Sequence, residues 1–209
     1  MHLYVKPPGC VLVSAPLGVS DEVIAQFVHA KIHWIRKHMA RFDGQPRPSE
    51  RRYVSGEILC VWGKRYCLQT EYGTRNALVL LDDIALLTVR EESTVEQRNR
   101  FVREWYRELL KTEVAWLLPK WEKITELKAS GWQSKYMTTR WGTCNVKTRK
   151  IWLSLQLAKT PPDCLEYVIL HELIHLVERK HDARFAALMD RYMPAWRERK
   201  TMLNRLTLD

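Results

Sequence analysis

Long hydrophobic runs are missing from this 209-residue sequence. The first nine residues, MHLYVKPPG, contain no apolar stretch of the length that a secretory signal peptide needs. Elsewhere, no uninterrupted apolar segment has the roughly 20 residues with which a helix crosses a bilayer. We therefore expect a cytoplasmic protein that does not use a membrane as a partner.

Paired cysteines, internal repeats and low-complexity segments are missing as well. The five cysteines are an odd number and include no C-x-x-C pair, which favours reduced thiols over a disulfide framework. Apolar residues make up 46% of the chain and charged residues 28%, as in ordinary globular proteins. This composition argues against a disordered chain.

The formal net charge is +10, and the positive residues are spread along the chain instead of being gathered in one arm. A basic surface attracts polyanions, so nucleic acid is a candidate partner. The alternative is a solvated basic surface without such a partner, because charge balance alone is weakly specific.

Short apolar segments between turn residues predict that residues 1–92 are β-rich with one helix. A hairpin is expected around Pro7-Pro8-Gly9-Cys10, a helix from the cap residue Ser20 to about Met39, and a loop over residues 42–52. An antiparallel meander is predicted from four short strands, at residues 58–62, 66–70, 78–81 and 84–89.

In the second part, residues 93–209, Ser93 and Glu96 predict a capping box at the start of a long helix. Thr160 is the expected cap of another helix, which Pro161 opens. The other elements are two strands that flank an Arg-Trp-Gly-Thr-Cys turn, and two C-terminal helices, at residues 132–137, 151–155, 183–192 and 195–206.

The helix after Pro161 carries a His-Glu-x-x-His motif. His171 and His175 are four residues apart, so they share one helix face with Cβ atoms about 5–6 Å apart. Two imidazoles in that arrangement can bind one Zn²⁺ ion. Glu172 is offset by one residue, so it reaches a water at the metal and can act as its general base. Two surface histidines on an ordinary helix are the alternative, but the flanking residues are apolar, and buried histidines without a metal or another partner are unfavourable.

A catalytic zinc usually has three protein ligands, and two residues compete for the third place. His181 follows His175 by six residues, so it reaches the metal if the helix ends near Arg179-Lys180 and the chain turns back. Glu178 follows His175 by three residues and shares its face. We predict His181 as the ligand, with Glu178 as an outer partner of the site or a solvated residue.

Several motifs resemble the YgjP-like metallopeptidase-domain family, which is related to the SprT and WLM zinc-protease groups. The segment Arg140-Trp141-Gly142-Thr143-Cys144 resembles R-W-G-S-C, and residues 161–175 resemble P-P…Y-V-V-x-H-E-L-x-H. His181-Asp182 with Phe185 is similar to H-S-x-x-F. The sequence departs from the family pattern at three positions, where Ser, Asn and Ser are replaced by Thr143, Ser154 and Asp182.

The resemblance implies a small gluzincin-like α+β core at residues 93–209, with a twisted sheet, a backing helix and an active-site helix, behind the β-rich residues 1–92. The zinc ligands of the family carry over to His171, His175 and His181, and its general base to Glu172. Related groups include proteases that act on DNA-bound proteins, whereas some YgjP-like proteins are associated with release of pyrophosphate from nucleoside triphosphates such as UTP.

We therefore expect a zinc-dependent, metallopeptidase-like hydrolase with a peptide or a nucleotide as its substrate. One alternative is a nucleotide pyrophosphatase with the same metal centre, and another is a metal-stabilised nucleic-acid-binding module without turnover. An exposed sheet edge beside the metal would favour an extended peptide, and a cluster of arginines would favour phosphates.

Arg140 and Trp141 are the candidate substrate-binding residues. A guanidinium at the rim of a pocket binds a carboxylate or a phosphate with two parallel hydrogen bonds. The structural alternative is that Trp141 packs in the core and Arg140 pairs with a carboxylate of the protein.

Overall fold

The computed structural model describes residues 1–6, 10–16, 18–36 and 51–206. The chain divides into two compact units, Met1–Glu50 and Arg51–Asp209. The predicted boundary between residues 92 and 93 stays a prediction. The strands of residues 58–89 share one hydrophobic core with the helices that follow them.

The first unit contains a hairpin and a helix. Strands β1 (His2–Lys6) and β2 (Cys10–Ser14) pair antiparallel. Helix α1 (Asp21–Ala30) begins after Ser20, as expected, and residues 32–36 are helical again after one turn residue. The predicted turn at residues 7–9, the helix end near Met39 and the loop at residues 42–50 lie outside the described residues.

The second unit begins with a four-stranded mixed sheet. Its strands are β3 (Ile58–Val61), β4 (Lys64–Tyr72), β5 (Ala77–Leu81) and β6 (Ile84–Val89), in the order β3-β4-β6-β5. The predicted antiparallel meander was wrong, because β6 lies between β4 and β5 and runs parallel to β4. The reason is burial. The β6 side chains of Ala85, Leu87 and Val89 are fully buried, whereas Val79 and Leu81 of β5 are about half exposed and suit an edge strand.

The long helix α2 (Val95–Thr125) backs the core. Its capping box is formed by Thr94 and Gln97, one residue after the predicted pair. Buried residues recur along one face of the helix every three or four positions and include Val102, Tyr106, Leu110, Val114, Leu117 and Trp121. This face packs on the short 3-10 helix Leu155–Lys159 and on the helix that carries the histidines.

A second mixed sheet follows, with strands β7 (Gly131–Lys135), β8 (Gly142–Asn145) and β9 (Lys150–Ser154) in the order β7-β9-β8. The sequence predicted only a turn at Arg-Trp-Gly-Thr-Cys, and this was wrong for residues 142–145, which form a strand antiparallel to β9. The strand is short and carries few β-branched residues, so its local preference for a strand is weak. Its pairing depends instead on the apolar neighbour β9.

Three helices complete the unit, α3 (Pro162–Ile174), α4 (Ala183–Tyr192) and α5 (Trp196–Arg205). A mixed sheet, the backing helix α2 and the histidine-bearing α3 give the gluzincin-like arrangement, so the α+β prediction is confirmed. Among the described residues, no helix combines the length and apolarity needed to cross a bilayer. Location in the cytoplasm stays a prediction.

Candidate metal centre

Helix α3 is the element that positions the site, and it is held on several sides. Its side chains Leu165, Ile169, Leu170 and Leu173 are almost entirely inaccessible to solvent. The helix begins at Pro162, one residue after the predicted start, with Pro161 as its N-cap. Pro161 packs against the turn of the β3–β4 hairpin so tightly that a Cβ on Gly63, which has a φ of +81°, would lie 2.9 Å from the proline ring.

Glu166 ties α3 to its two neighbouring helices. Its carboxylate accepts hydrogen bonds from Lys120 of α2 and Arg199 of α5, both at 2.6 Å, and from the Trp121 indole at 3.2 Å. Burial opposes ionisation of this carboxyl, yet the hydrogen bonds from Lys120 and Arg199 lower its pKa. The network fixes the rotation of α3 about its axis and therefore the direction in which its histidines point.

His171 and His175 face each other at the end of α3. Their Nε2 atoms are 3.1 Å apart. The helix ends at Ile174 with His175 as its C-cap, so the predicted helix end near Arg179-Lys180 was wrong by about a turn. The backbone N–H groups after His175 bond to carbonyls three or four residues back, and this last turn directs the chain back towards the histidines.

His181 is brought to the same point by the start of the next helix. Asp182 caps α4 by accepting hydrogen bonds from the N–H groups of Arg184 (3.0 Å) and Phe185 (3.2 Å). His181 lies directly before this cap, and its Nε2 atom is 2.9 Å from Nε2 of His171. One ligand atom from each of the three histidines lies within 4.8 Å of the others. Asp182, which departs from the family pattern, therefore keeps a capping function that serine can also provide.

The outer ring nitrogens of two histidines are occupied by the protein. Nδ1 of His175 lies 2.8 Å from the Glu178 carbonyl oxygen, and Nδ1 of His171 lies 3.4 Å from the Tyr167 hydroxyl. The Glu178 carbonyl oxygen can only accept, so Nδ1–H of His175 donates to it and the Nε2 lone pair of His175 points to the centre, as metal-binding histidines require. The Phe185 ring packs against all three imidazoles at centroid distances of 4.8–5.1 Å.

Burial and neighbouring charges favour the neutral form of His171 and His181. Burial, together with the nearby His175 and His181, lowers the pKa of His171 to about 3. Burial also lowers the pKa of His181, with contributions from His175 and Lys200. Neutral imidazoles with converging Nε2 atoms are the donor set that divalent transition metals prefer. The residues therefore fit a divalent metal.

The Glu178 carboxylate is engaged elsewhere. It accepts a hydrogen bond from the Lys180 backbone N–H at 3.3 Å and lies 3.6 Å from Arg184. Its backbone carbonyl supports His175, as described above. The structure therefore gives Glu178 the position of an outer partner and brings His181 to the triad.

Glu172 lies beside the triad and is buried. Its side chain is only 4% exposed, and its Oε2 atom is buried without a hydrogen-bond partner among the described residues. Burial raises the pKa of Glu172 to about 8, while the charge of Arg140 acts in the opposite direction. An unpaired buried carboxylate oxygen is costly, and such costs are concentrated at functional sites.

These groups line a cavity of about 600 Å³. Arg140 is exposed at its wall, and two further cations, Arg179 and Lys200, contribute to the lining. Trp141 is partly buried, packs against the hydrophobic core and also lines the cavity. Trp141 therefore has both positions that were considered for it, contact with the core and a place in the cavity wall. Ser154, by contrast, is fully buried beside the Met137 carbonyl and does not line the cavity.

Strand β8 forms one wall of the cavity and is an edge strand. In the part of the chain that the structure describes, no strand pairs with its outer side. The Ser154 N–H donates to the Trp141 carbonyl at 2.7 Å, so the pair of residues 141 and 154 is hydrogen-bonded. Because such pairs alternate along an antiparallel ladder, the backbone groups of Gly142 and Cys144 point to the unpaired side.

Four residues that shape the site had no predicted role. These are Gly142, Cys144, Tyr167 and Phe185. Tyr167 precedes His171 by four residues, so helical spacing could have identified it as a neighbour. Gly142 and Phe185 were part of the quoted motifs, but only the fold brings them to Glu172 and to the imidazoles.

The mixed sheet, the backing helix and a histidine triad beside a buried glutamate together define a metallopeptidase-type domain with a divalent-metal centre. A family model described as YgjP-like, metallopeptidase domain matches residues 1–206. The chain therefore belongs to the YgjP-like family, and the resemblance noted in the sequence is confirmed. A comparison with curated proteins gives no match.

Proposed function

We propose that this protein is a zinc-dependent peptidase that binds an extended peptide along strand β8 and uses Glu172 as its general base. The observation that carries the proposal is the unpaired edge of β8 beside the histidine triad. A peptide added to such an edge gains main-chain hydrogen bonds in regular register, whatever its side chains are. Gly142 and Cys144 would supply those hydrogen bonds next to Glu172.

His171, His175 and His181 would hold the zinc ion. A bound zinc ion polarises a carbonyl group and lowers the pKa of a water molecule. The supporting features are the converging Nε2 atoms, the lowered pKa of His171 and the hydrogen bond between His175 and the Glu178 carbonyl.

Glu172 would move the proton. Its carboxylate accepts a proton from the attacking water, and the resulting acid delivers a proton to the amine that leaves. The charge of Arg140 favours the ionised carboxylate with which this cycle starts. Burial strengthens the proton affinity of the same group, so that it can hold the proton between the two steps.

A nucleoside triphosphate is the second candidate substrate, and one observation favours it. Three cations, Arg140, Arg179 and Lys200, line the cavity, where Glu172 is the single acidic residue among the described lining residues. Guanidinium groups bind phosphates with paired hydrogen bonds. A binding module without turnover has less support, because a purely structural metal site needs no buried, unpaired carboxylate.

The experiment compares the two substrates directly. Zinc-loaded protein is incubated with internally quenched peptides with blocked ends, and separately with UTP under a pyrophosphate assay, each with and without a chelator. We expect peptide cleavage that the chelator abolishes and added zinc restores. Release of pyrophosphate from UTP without cleavage of any peptide would overturn the peptidase proposal in favour of the second candidate.

A further inference from the structure

A second cavity of about 530 Å³ adjoins the first. The two cavities share Thr143, Cys144, Val146 and Arg179, so they meet at the edge strand β8. Lys135 of β7 and Trp152 of β9 line only the second cavity. A substrate that follows β8 would therefore contact both cavities.

The two cavities lie towards opposite faces of the second sheet. A Cβ on Gly142 would point at Glu172 and Val168 of α3, so the face of Gly142 and Cys144 is the face of the metal centre. Side chains alternate along a strand, and Thr143 therefore projects to the other face, where it pairs in register with Trp152.

The second cavity is basic. Lys135, Lys147 and Arg179 line it with exposed side chains, and no aspartate or glutamate is among the described lining residues. These three cations form no ion pair within the described part of the chain. The Trp152 ring forms an apolar floor, with Lys135 Nζ at 5.8 Å and Lys150 Nζ at 5.5 Å from its centroid.

We infer that the second cavity is a specificity subsite for a carboxylate side chain of the peptide substrate. This inference rests on the proposed peptidase function. Successive side chains of an extended peptide paired with β8 point alternately to the two faces of the sheet. One set of side chains therefore lies over the metal centre, while a neighbour on the opposite face enters the basic cavity. An aspartate or glutamate there would meet three cations that pair with no carboxylate of the described residues.

The test is a position scan with matched peptides. Internally quenched peptides with blocked ends carry glutamate, glutamine or lysine at one position at a time. At one position close to the cleaved bond, glutamate should raise kcat/KM about tenfold over glutamine, chiefly through KM, since several exposed charges each contribute a modest attraction. Lysine at that position should be cleaved less well than glutamine. The glutamate preference should weaken as the salt concentration rises.

Variants locate the effect in the second cavity. The double variant Lys135→Gln, Lys147→Gln should lose most of the preference for glutamate over glutamine, and Lys147→Glu should shift it towards lysine. Lys123→Gln is the matched control, because Lys123 is an exposed lysine on α2 that lines neither cavity. It should keep the wild-type ratio. Binding of the labelled peptides to the Glu172→Gln protein can be measured by fluorescence anisotropy without turnover. The glutamate peptide should bind more tightly than the glutamine peptide, and the lysine peptide most weakly.

The outcomes separate the two claims. Cleavage of the glutamate and glutamine peptides with equal kcat/KM at every position would overturn the subsite and leave the peptidase function intact. If no peptide is cleaved, the peptidase function fails, and equal binding of the two peptides to Glu172→Gln would overturn the subsite as well.

Discussion

The carboxylate of Glu172 lies directly against the backbone of Gly142. A Cβ atom on Gly142 would be 2.6 Å from Oε1 and 2.9 Å from Cγ of Glu172, distances that non-bonded atoms do not reach. The absence of a side chain at Gly142 thus allows α3 to bring the carboxylate to the wall formed by β8, and it links the edge strand to the buried glutamate.

Gly142→Ala should displace the Glu172 carboxylate without removing a metal ligand. A displacement of about 1 Å can lower turnover by roughly 10²-fold, while overpacking costs about 1–3 kcal/mol of stability. The measurements are kcat, the metal content and the melting temperature. Gly73→Ala is the matched control, because its Cβ would lie 2.7 Å from the Thr88 side chain, which does not line the cavity. It should lose stability with little change in kcat, and equal losses of kcat in both variants would contradict the account.

His181→Ala should lose zinc, whereas Glu178→Ala should keep it. His181 contributes an Nε2 atom to the triad, while the Glu178 carboxylate accepts a hydrogen bond from the Lys180 backbone N–H and pairs with Arg184. Loss of a direct ligand should weaken zinc binding by more than the roughly 10–100-fold that is typical of an outer partner. Elemental analysis and a zinc titration check this. Full zinc content in His181→Ala combined with loss of zinc in Glu178→Ala would show that Glu178, and not His181, is the third ligand.

Arg140→Lys should lower turnover while the melting temperature changes little. Arg140 is exposed at the cavity wall and forms no hydrogen bond or ion pair with the other described residues, so its replacement should cost little stability. Lysine keeps the charge but cannot reproduce the paired hydrogen bonds of a guanidinium. Steady-state kinetics and thermal unfolding distinguish a substrate-binding role of Arg140 from a structural one. A large drop in melting temperature would instead assign Arg140 a structural role.

The metal-free protein should become less stable, relative to Glu172→Gln, as the pH rises from 4.5 to 8. Burial raises the pKa of Glu172 from 4.5 to about 8 in the folded state, so the unfolded chain releases this proton first. The stabilisation is present below pH 4.5 and is lost as the pH approaches 8, with a slope of at most about 1.4 kcal/mol per pH unit. Urea unfolding of both proteins across this range measures the difference. Parallel stability curves would show that the carboxyl is not buried as described.

Local signals in the sequence were enough to predict the histidine helix and the triad residues, and the family resemblance implied the α+β class. The apolar residues around His171 and His175 predict a buried helix, and four-residue spacing places both rings on one face. The family motif supported the choice of His181 as the third ligand. These features depend on contacts within a few turns of the chain or on a motif, so they can be recognised without the fold.

Features that depend on distant pairing could not be predicted. The central position of β6 follows from its burial between β4 and β5, which no local pattern specifies, and β8 is too short and too polar to be recognised as a strand. The helix end at Ile174 was placed too late, because no glycine or proline marks it. The contact between Gly142 and Glu172 joins residues 30 positions apart and exists only in the folded core.

The central claim is that Glu172 is the general base and does not bind the metal. Glu172→Gln keeps the size of the side chain but removes its ability to accept a proton. The decisive measurement is the rate of peptide hydrolysis by zinc-loaded Glu172→Gln protein, with the zinc content determined on the same sample. We expect full zinc content, an unchanged fold and a loss of roughly 10²–10⁴-fold in kcat, the usual contribution of a general base. Hydrolysis close to the wild-type rate at full zinc content would contradict the account and transfer the role to another group.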